Sequence, residues 1–404
     1  MAMTRKGFLK TLGGAAFAGT FLRGSERLLA AQEKAKVPLK AVRIRDVEVY
    51  PYNLPQKTVI HIALGSTSVT ENVLVRLRTE EGVVGWGEAS PFPPVTGDTQ
   101  KTTVVMGKEL TDTLRGRDPF SLARIVADMD AFAPHNPSIK AAFEMALWDI
   151  CGKVAGRPIC CLMGSYRDSF ETDQTIFIDT PEKMVEAAQN VVRAGFKTIK
   201  VKVGESPEKD VERLRAIRQA VGDNIELRID ANQGWTPADA VRGLQGLEKY
   251  NIQECEQPVV YWDWDGLKYV RQHSKIPIMA DESVHTPQDA VEAVRRDAVD
   301  MINIKLMKSG GMLQAARIAE IAAAANIKCM LGCMTETRLG LTAAAHVVAS
   351  QKNIEYADLD AFLVHSFDPV VGGIVIKDGV ITVPQAPGLG TEMDPGFVNK
   401  LKAT

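Results

Sequence analysis

Thr198-Ile199-Lys200-Val201-Lys202 ends an apolar run on charge, and the same construction recurs four times downstream. Ile225-Glu226-Leu227-Arg228-Ile229 closes on Asp230, Ile252-Gln253-Glu254-Cys255 on Glu256, Ile276-Pro277-Ile278-Met279-Ala280 on Asp281, and Met301-Ile302-Asn303-Ile304 on Lys305. The steps from Lys202 are 28, 26, 25 and 24 residues, the length of one strand plus one helix. Helix-patterned spans such as residues 208–220 and 287–296 fill the intervals. Repeated βα units predict a parallel barrel, whose strand C-termini converge on one mouth, where such barrels place their chemistry.

Three carboxylates on consecutive strands, Asp230, Glu256 and Asp281, repel one another unless a hard cation sits between them. An all-oxygen ligand set suits Mg²⁺ rather than zinc. Lys202 and Lys305 then flank the metal from either side. Taken singly, each acid reads equally well as the cap of the next helix. The common register of all five residues is what favours a site.

Composition sets the outer bounds. The net charge of −2 gives no electrostatic reason to expect nucleic acid or an anionic membrane as partner. At the N-terminus, Thr4-Arg5-Lys6-Gly7-Phe8-Leu9-Lys10 is basic, residues 12–22 are apolar, and Ala30-Ala31 offers small residues for cleavage. This predicts an export signal similar to a twin-arginine signal, with Lys6 in place of the second arginine, and hence a periplasmic protein. The alternative is a tail or docking helix on a cytoplasmic protein. The apolar run is too short for a permanent membrane span. Six cysteines at 151, 160, 161, 255, 329 and 333 show no zinc spacing and read as small buried residues without disulfides.

Along the chain, residues 1–36 are read as signal and linker, 37–165 as an α+β capping domain, 166–365 as a (β/α)7β barrel, and 366–404 as a tail returning to the cap. Residues 42–50, 71–79 and 83–89 alternate as strands, and residues 99–162 read as helices. Residues 172–178 are expected as the first barrel strand, 328–332 as the seventh and 353–356 as the eighth. Two cap segments read as candidate lid loops: residues 53–68, with His61, Leu64 and Gly65, and the proline-rich residues 90–97. Trp148-Asp149 reads as core packing beside a surface carboxylate.

These residues resemble the enolase superfamily in its muconate-lactonising subgroup. Lys200-Val201-Lys202, Asp230-Ala231-Asn232, Glu256-Gln257-Pro258, Asp281-Glu282-Ser283 and residues 303–311 carry the likeness. Cys333-Met334-Thr335-Glu336 and Asp358-Leu359-Asp360 further resemble the dipeptide epimerases, best known from the L-Ala-D/L-Glu epimerases. The resemblance implies a modified TIM barrel, Mg²⁺ on Asp230, Glu256 and Asp281, and a dipeptide substrate. It also implies that Lys202 serves the L-configured carbon and Lys305 the D-configured one. A Lys base beside Mg²⁺ is the general pattern of enolase-superfamily sites.

Elementary chemistry agrees with those roles. Removing a proton α to a carboxylate puts a second negative charge next to the first, which Mg²⁺ and Lys200 offset. Lysines on strands two and six of the barrel face each other, as inversion of a carbon requires. A base lysine must be partly neutral near pH 7, which a neighbouring cation favours. Asp358 and Asp360 suit a dipeptide's α-ammonium, and Thr175 and Cys333 match substrate-touching positions of the epimerases. Leu64 stands where the enterobacterial Ala-Glu epimerases carry an arginine for the substrate's side-chain carboxylate, so an apolar or broad second residue is expected. Three alternatives stay open: an N-acylamino-acid racemase or o-succinylbenzoate synthase, a Schiff-base lyase, and an exported non-catalytic binding protein. Oligomeric state is not legible.

Overall fold

The computed structural model describes residues 42–402, which belong to one compact unit. The expected export signal lies outside the described residues. The chain opens with β1 (Ile44–Ile62), β2 (Gly65–Thr79) and β3 (Val84–Ala89), an antiparallel sheet in the order β1-β2-β3. Alternation divides its side chains between two faces. Val49, Val73, Val75 and Leu77 join Phe143 and Leu147 in the cap core, while Tyr50, Tyr52, Leu54, Leu74 and Trp86 join the barrel core.

Helix Pro137–Ala155 lies against β3. The Gly85-Trp86-Gly87 spacing permits it, since a Cβ at Gly87 would come 1.8 Å from Ala142 O and one at Gly85 would come 2.2 Å from Ala146 O. Asp149 on this helix is fully buried, which corrects its reading as a surface carboxylate. It accepts from Trp86 N at 3.1 Å and Leu389 N at 2.9 Å, and pairs with Lys153.

Eight parallel strands follow: β5 (Gln174–Ile176), β6 (Thr198–Lys202), β7 (Glu226–Asp230), β8 (Ile252–Glu256), β9 (Ile278–Ala280), β10 (Met301–Lys305), β11 (Lys328–Gly332) and β12 (Ile354–Ala357), paired in sequence order. The first is shorter than expected because Thr172 and Asp173 close the barrel against the last: Asp173 N donates to Ala357 O at 3.4 Å and Leu359 N to Thr172 Oγ1 at 3.0 Å. Eight α-helices connect the strands, two of them between β10 and β11. Four of them begin with Thr-Pro or Ser-Pro, at residues 180, 206, 236 and 286, with an acid in the first turn. The hydroxyls of Ser206, Thr236 and Thr286 accept from the third helical N–H, and proline fits a position whose own N–H has no intrahelical partner.

The tail divides its pairing. β13 (Val370–Gly372) pairs with β16 (Thr391–Met393), and the hairpin of β14 (Val375–Lys377) and β15 (Val380–Thr382) pairs with β4 (Ser169–Glu171) just before the barrel. Glu392 accepts from Trp86 Nε1 and from Lys153 Nζ, both at 2.7 Å, tying the tail to the cap. All six cysteines are free, Cys161 exposed and the rest buried.

Glu88 locks cap to barrel. It is fully buried and accepts from Tyr52 Oη, Asn72 Nδ2 (2.8 Å), Thr337 N (3.0 Å), Thr337 Oγ1 (2.9 Å) and Gly340 N (2.9 Å), the last three at the start of helix Arg338–Ser350. Glu88→Ala leaves these donors buried without an acceptor, so a stability loss of about 3 kcal/mol or more is expected, because each orphaned donor costs about 1–3 kcal/mol. Chemical denaturation measures it. A loss below about 1 kcal/mol would show that water replaces the carboxylate.

Candidate active site

Barrel register sets the mouth. Lys202 pairs with Asp230 and Asp230 with Glu256 across β6, β7 and β8, while Asp281 follows β9 and Lys305 ends β10. The three carboxylates are fully buried. Lys202 Nζ lies 2.6 Å from Asp230 Oδ2, and Lys305 Nζ lies 2.8 Å from Asp281 Oδ2 and 3.8 Å from Glu256 Oε1. Lys200, expected to reach the substrate, instead lies beneath the mouth and outside the cavity lining. Its Nζ is 2.7 Å from both Glu256 Oε2 and Asp358 Oδ2, and 3.2 Å from Asp230 Oδ2.

The donor set fits a hard divalent cation. Glu256 Oε2 accepts no hydrogen bond despite its closeness to Lys200. Burial and the Asp230 and Asp281 carboxylates push Glu256 up to about 7, the signature of crowded negative charge. A cation taking these oxygens relieves that crowding. The lysine electrostatics differ from expectation. Burial disfavours the Lys305 ammonium, but Asp281 and Glu256 outweigh it and raise its pKa above the ordinary lysine value. Lowering it therefore depends on a cation claiming those carboxylates.

Asp358 and Asp360 follow β12 and share one pocket with Cys333, which follows β11. Thr175 N donates to Asp360 Oδ2 at 2.6 Å, and Thr175 Oγ1 lies 3.5 Å from Asp358 Oδ1. Burial works against the Asp358 carboxylate, but Lys200, Lys202 and Lys305 hold it below the usual range. Asp360 is pushed up to about 7 by burial and by Asp358. The pair is thus one positive charge short, and an incoming ammonium would supply it.

The mouth opens into a cavity of about 410 Å³. Lys202, Lys305, Asp281, Asn232, Asp358, Asp360, Thr175 and Cys333 line it, with no arginine or histidine among the lining residues. Residues 53–68, expected as a loop, form the far half of the β1–β2 hairpin, closed by the two-residue turn Ala63-Leu64. Pro51 and Pro55 are tolerated because β1 is an edge strand. The hairpin rests on the barrel. Ile178 N donates to His61 O at 3.0 Å, Lys57 Nζ donates to Leu363 O at 2.8 Å, and Gln56 bridges to His365. Ile60, Ile62, Leu64 and Val69 face the cavity. Within residues 90–97, expected to contain no helix, Pro93–Thr96 makes one helical turn, with proline at its start where no N–H is needed.

Residues 44–164 match the mandelate racemase / muconate lactonizing enzyme N-terminal domain, and residues 183–397 match the enolase C-terminal domain-like family. The chain belongs to the enolase superfamily. Among similar superfamily members, the hydrophobic dipeptide epimerase of Enterococcus faecalis is 43% identical over 351 residues, 86% of this chain and 99% of its own. A D-Ala-D/L-Ala epimerase of Cytophaga hutchinsonii is 42% identical over 361 residues, 89% of this chain and 98% of its own. The crystal structure of the Cytophaga dipeptide epimerase with Mg and D-Ala-L-Val has a TM-score of 0.88 at 41% identity, covering 90% of this chain and 99% of that one. The Enterococcus enzyme with Mg and L-Leu-L-Tyr gives 0.85 at 43%, covering 87% and 99%.

Some residues of this enolase-superfamily site carried no assigned role in the sequence. Lys308, fully buried, donates to Asp281 and to Asn303 O (3.0 Å), while Asn303 Nδ2 holds Glu256 Oε1 at 2.8 Å. Together with Lys305 it holds Asp281 well below the usual carboxylate range against the opposing effect of burial. Both stand inside residues 303–311, so the motif pointed at them without a function. Ile60 and Ile62, two apart on β1, were findable by alternation. Phe177, two residues after Thr175 on the expected first strand, was findable in the same way, whereas Phe92, also in the cavity wall, had no such signal.

Proposed function

We propose that the protein is a Mg²⁺-dependent dipeptide epimerase that inverts the α-carbon of the second residue, with a preference for an apolar side chain there. The observation that carries it is the placing of two lysines on β6 and β10, four strands apart in an eight-stranded barrel, both lining one cavity together with the Asp358/Asp360 pair. Asp230, Glu256 and Asp281 would hold the Mg²⁺, which when bound would offset the charge that builds on the substrate carboxylate as the α-proton leaves. Lys202 Nζ takes the proton from one face of the carbon, the C–H electron pair moves toward the carboxylate, and Lys305 Nζ returns a proton to the other face. Asp358 and Asp360 hold the α-ammonium and so fix the far end of the substrate. An N-acylamino acid has no such ammonium, and the paired acids would then stand without a counter-charge.

Side-chain preference rests on the hairpin wall of Ile60, Ile62, Leu64 and Val69. The test is deuterium incorporation from D₂O across L,L- and L,D-dipeptides, read by mass spectrometry. Incorporation in Mg²⁺ that stops in EDTA and leaves no borohydride-trapped adduct is expected. An EDTA-resistant, borohydride-trapped reaction would assign a Schiff-base lysine instead.

A further inference from the structure

The cavity floor carries a second donor set, apart from the three-carboxylate cluster. Cys333 Sγ and one carboxylate oxygen each from Asp358 and Asp360 lie within 4.8 Å of one another, and all three residues are buried. Lys200 Nζ sits on Asp358 Oδ2 at 2.7 Å, Thr175 N on Asp360 Oδ2 at 2.6 Å, and Thr175 Oγ1 3.5 Å from Asp358 Oδ1. Cys333 is only 9% exposed, its thiol makes no hydrogen bond among the described residues, and it lines the cavity together with the two acids. An ammonium is satisfied by the carboxylate oxygens and gains little from a thiol, a weak acceptor. The sulfur is surplus to that role.

One sulfur and two carboxylate oxygens are a natural ligand set for a thiophilic divalent ion, with Zn–S near 2.3 Å and Zn–O about 2.0–2.2 Å. Such bond lengths set donors up to about 4 Å apart, which small side-chain rotations reach from the present spacing. Charge agrees. With the thiol neutral, Asp358, Asp360 and Lys200 leave one negative charge, matched by an ammonium. With a thiolate they leave two, matched by a divalent ion. The Asp230, Glu256 and Asp281 set contains no sulfur and has no comparable preference.

We propose that Cys333, Asp358 and Asp360 form an inhibitory site for a thiophilic divalent cation, Zn²⁺ or Cd²⁺, and that the bound ion excludes the substrate's ammonium. On binding, the sulfur–metal bond replaces the S–H bond and the proton goes to solvent. Exclusion of the ammonium rests on the dipeptide reading above. Binding of the cation does not.

The test is titration of the Mg²⁺-saturated full chain with Cd²⁺, followed by the ultraviolet thiolate-to-metal absorbance. One equivalent is expected to develop the band in the wild type and none in Cys333→Ala. Asp360→Asn is expected to weaken Cd²⁺ binding tenfold or more, and Cys161→Ser, at the exposed thiol, to leave the band unchanged. A saturating dipeptide raises the Cd²⁺ required at least tenfold. A band retained in Cys333→Ala, or binding unaffected by Asp360→Asn, would overturn the site. Inhibition without any thiolate band would place the ion on the three carboxylates and overturn it equally. A Cys333-dependent band that no dipeptide displaces supports the cation site and overturns its inhibitory role. Because the band needs no turnover, failure of the dipeptide reading and failure of this site are told apart.

Discussion

Lys202→Ala is expected to abolish α-proton exchange from the L epimer while exchange from the D epimer persists, and Lys305→Ala to do the reverse. The physical reason is barrel geometry: β6 and β10 stand four positions apart among eight strands, so each lysine Nζ reaches a carbon in the cavity from one side only. Loss of a positioned base typically costs about 10²–10⁴ in rate, so the exchange ratio between epimers should move by that amount in opposite directions in the two variants. Deuterium incorporation from each pure epimer in D₂O measures it. Each lysine also neutralises a carboxylate of the metal set, Lys202 at Asp230 and Lys305 at Asp281. Mg²⁺ affinity measured on both variants separates loss of a base from loss of the cation. Equal loss of exchange from both epimers in both variants would leave the two-base assignment without support.

Leu64→Arg is expected to move the preference for the second residue from apolar side chains toward Glu. Leu64 stands at the tip of the β1–β2 hairpin, in the two-residue turn between Ile62 and Gly65, and faces the cavity beside Ile60, Ile62 and Val69. Lys202 and Lys305 are the cations among the lining residues, and both are committed to the mouth. On the hairpin, Lys57 is taken up by Leu363 O at 2.8 Å, and His61 is exposed with its Nδ1 2.6 Å from Ser66 Oγ. A Glu side chain entering this wall leaves a charge unpaired at a cost of about 1–3 kcal/mol or more, whereas an aliphatic or aromatic one gains by burial. Wild-type kcat/KM should therefore favour L-Ala-L-Leu over L-Ala-L-Glu, and the arginine should shift that ratio toward Glu by about 10- to 100-fold. A wild-type preference of tenfold or more for L-Ala-L-Glu, unchanged in Leu64→Arg, would show that another group reads the side chain.

Asp230, Glu256, Asp281, Lys202 and Lys305 were legible in the chain because each closes an apolar run at the interval of one strand and one helix. A parallel barrel turns that interval into adjacency at one mouth. The Ser-Pro and Thr-Pro helix starts found in the structure also act locally, since capping and a fixed φ work within a few residues. The family likeness added Asp358, Asp360, Cys333 and Thr175, whose common pocket depends on β5, β11 and β12 meeting as the barrel closes.

What the sequence left open depends on partners distant in the chain. Residues 53–68 carry Pro55, Gly65 and small polar residues that locally favour a loop. They become strand because β2 supplies the ladder, while the barrel holds the hairpin through Ile178, Leu363 and His365. Asp149 is buried because residue 389 of the tail and Trp86 of β3 deliver N–H groups to it, contacts with no signature near residue 149. Alternation put Lys200 on the same strand face as Lys202. Depth along the barrel, which period two does not encode, places it against Glu256 and Asp358 beneath the cavity. The sequence thus determined which charges meet at the mouth, because spacing along one chain fixes their register. The tertiary structure alone decided which of them face the cavity and what walls it, because depth and lid position are set by packing between segments hundreds of residues apart.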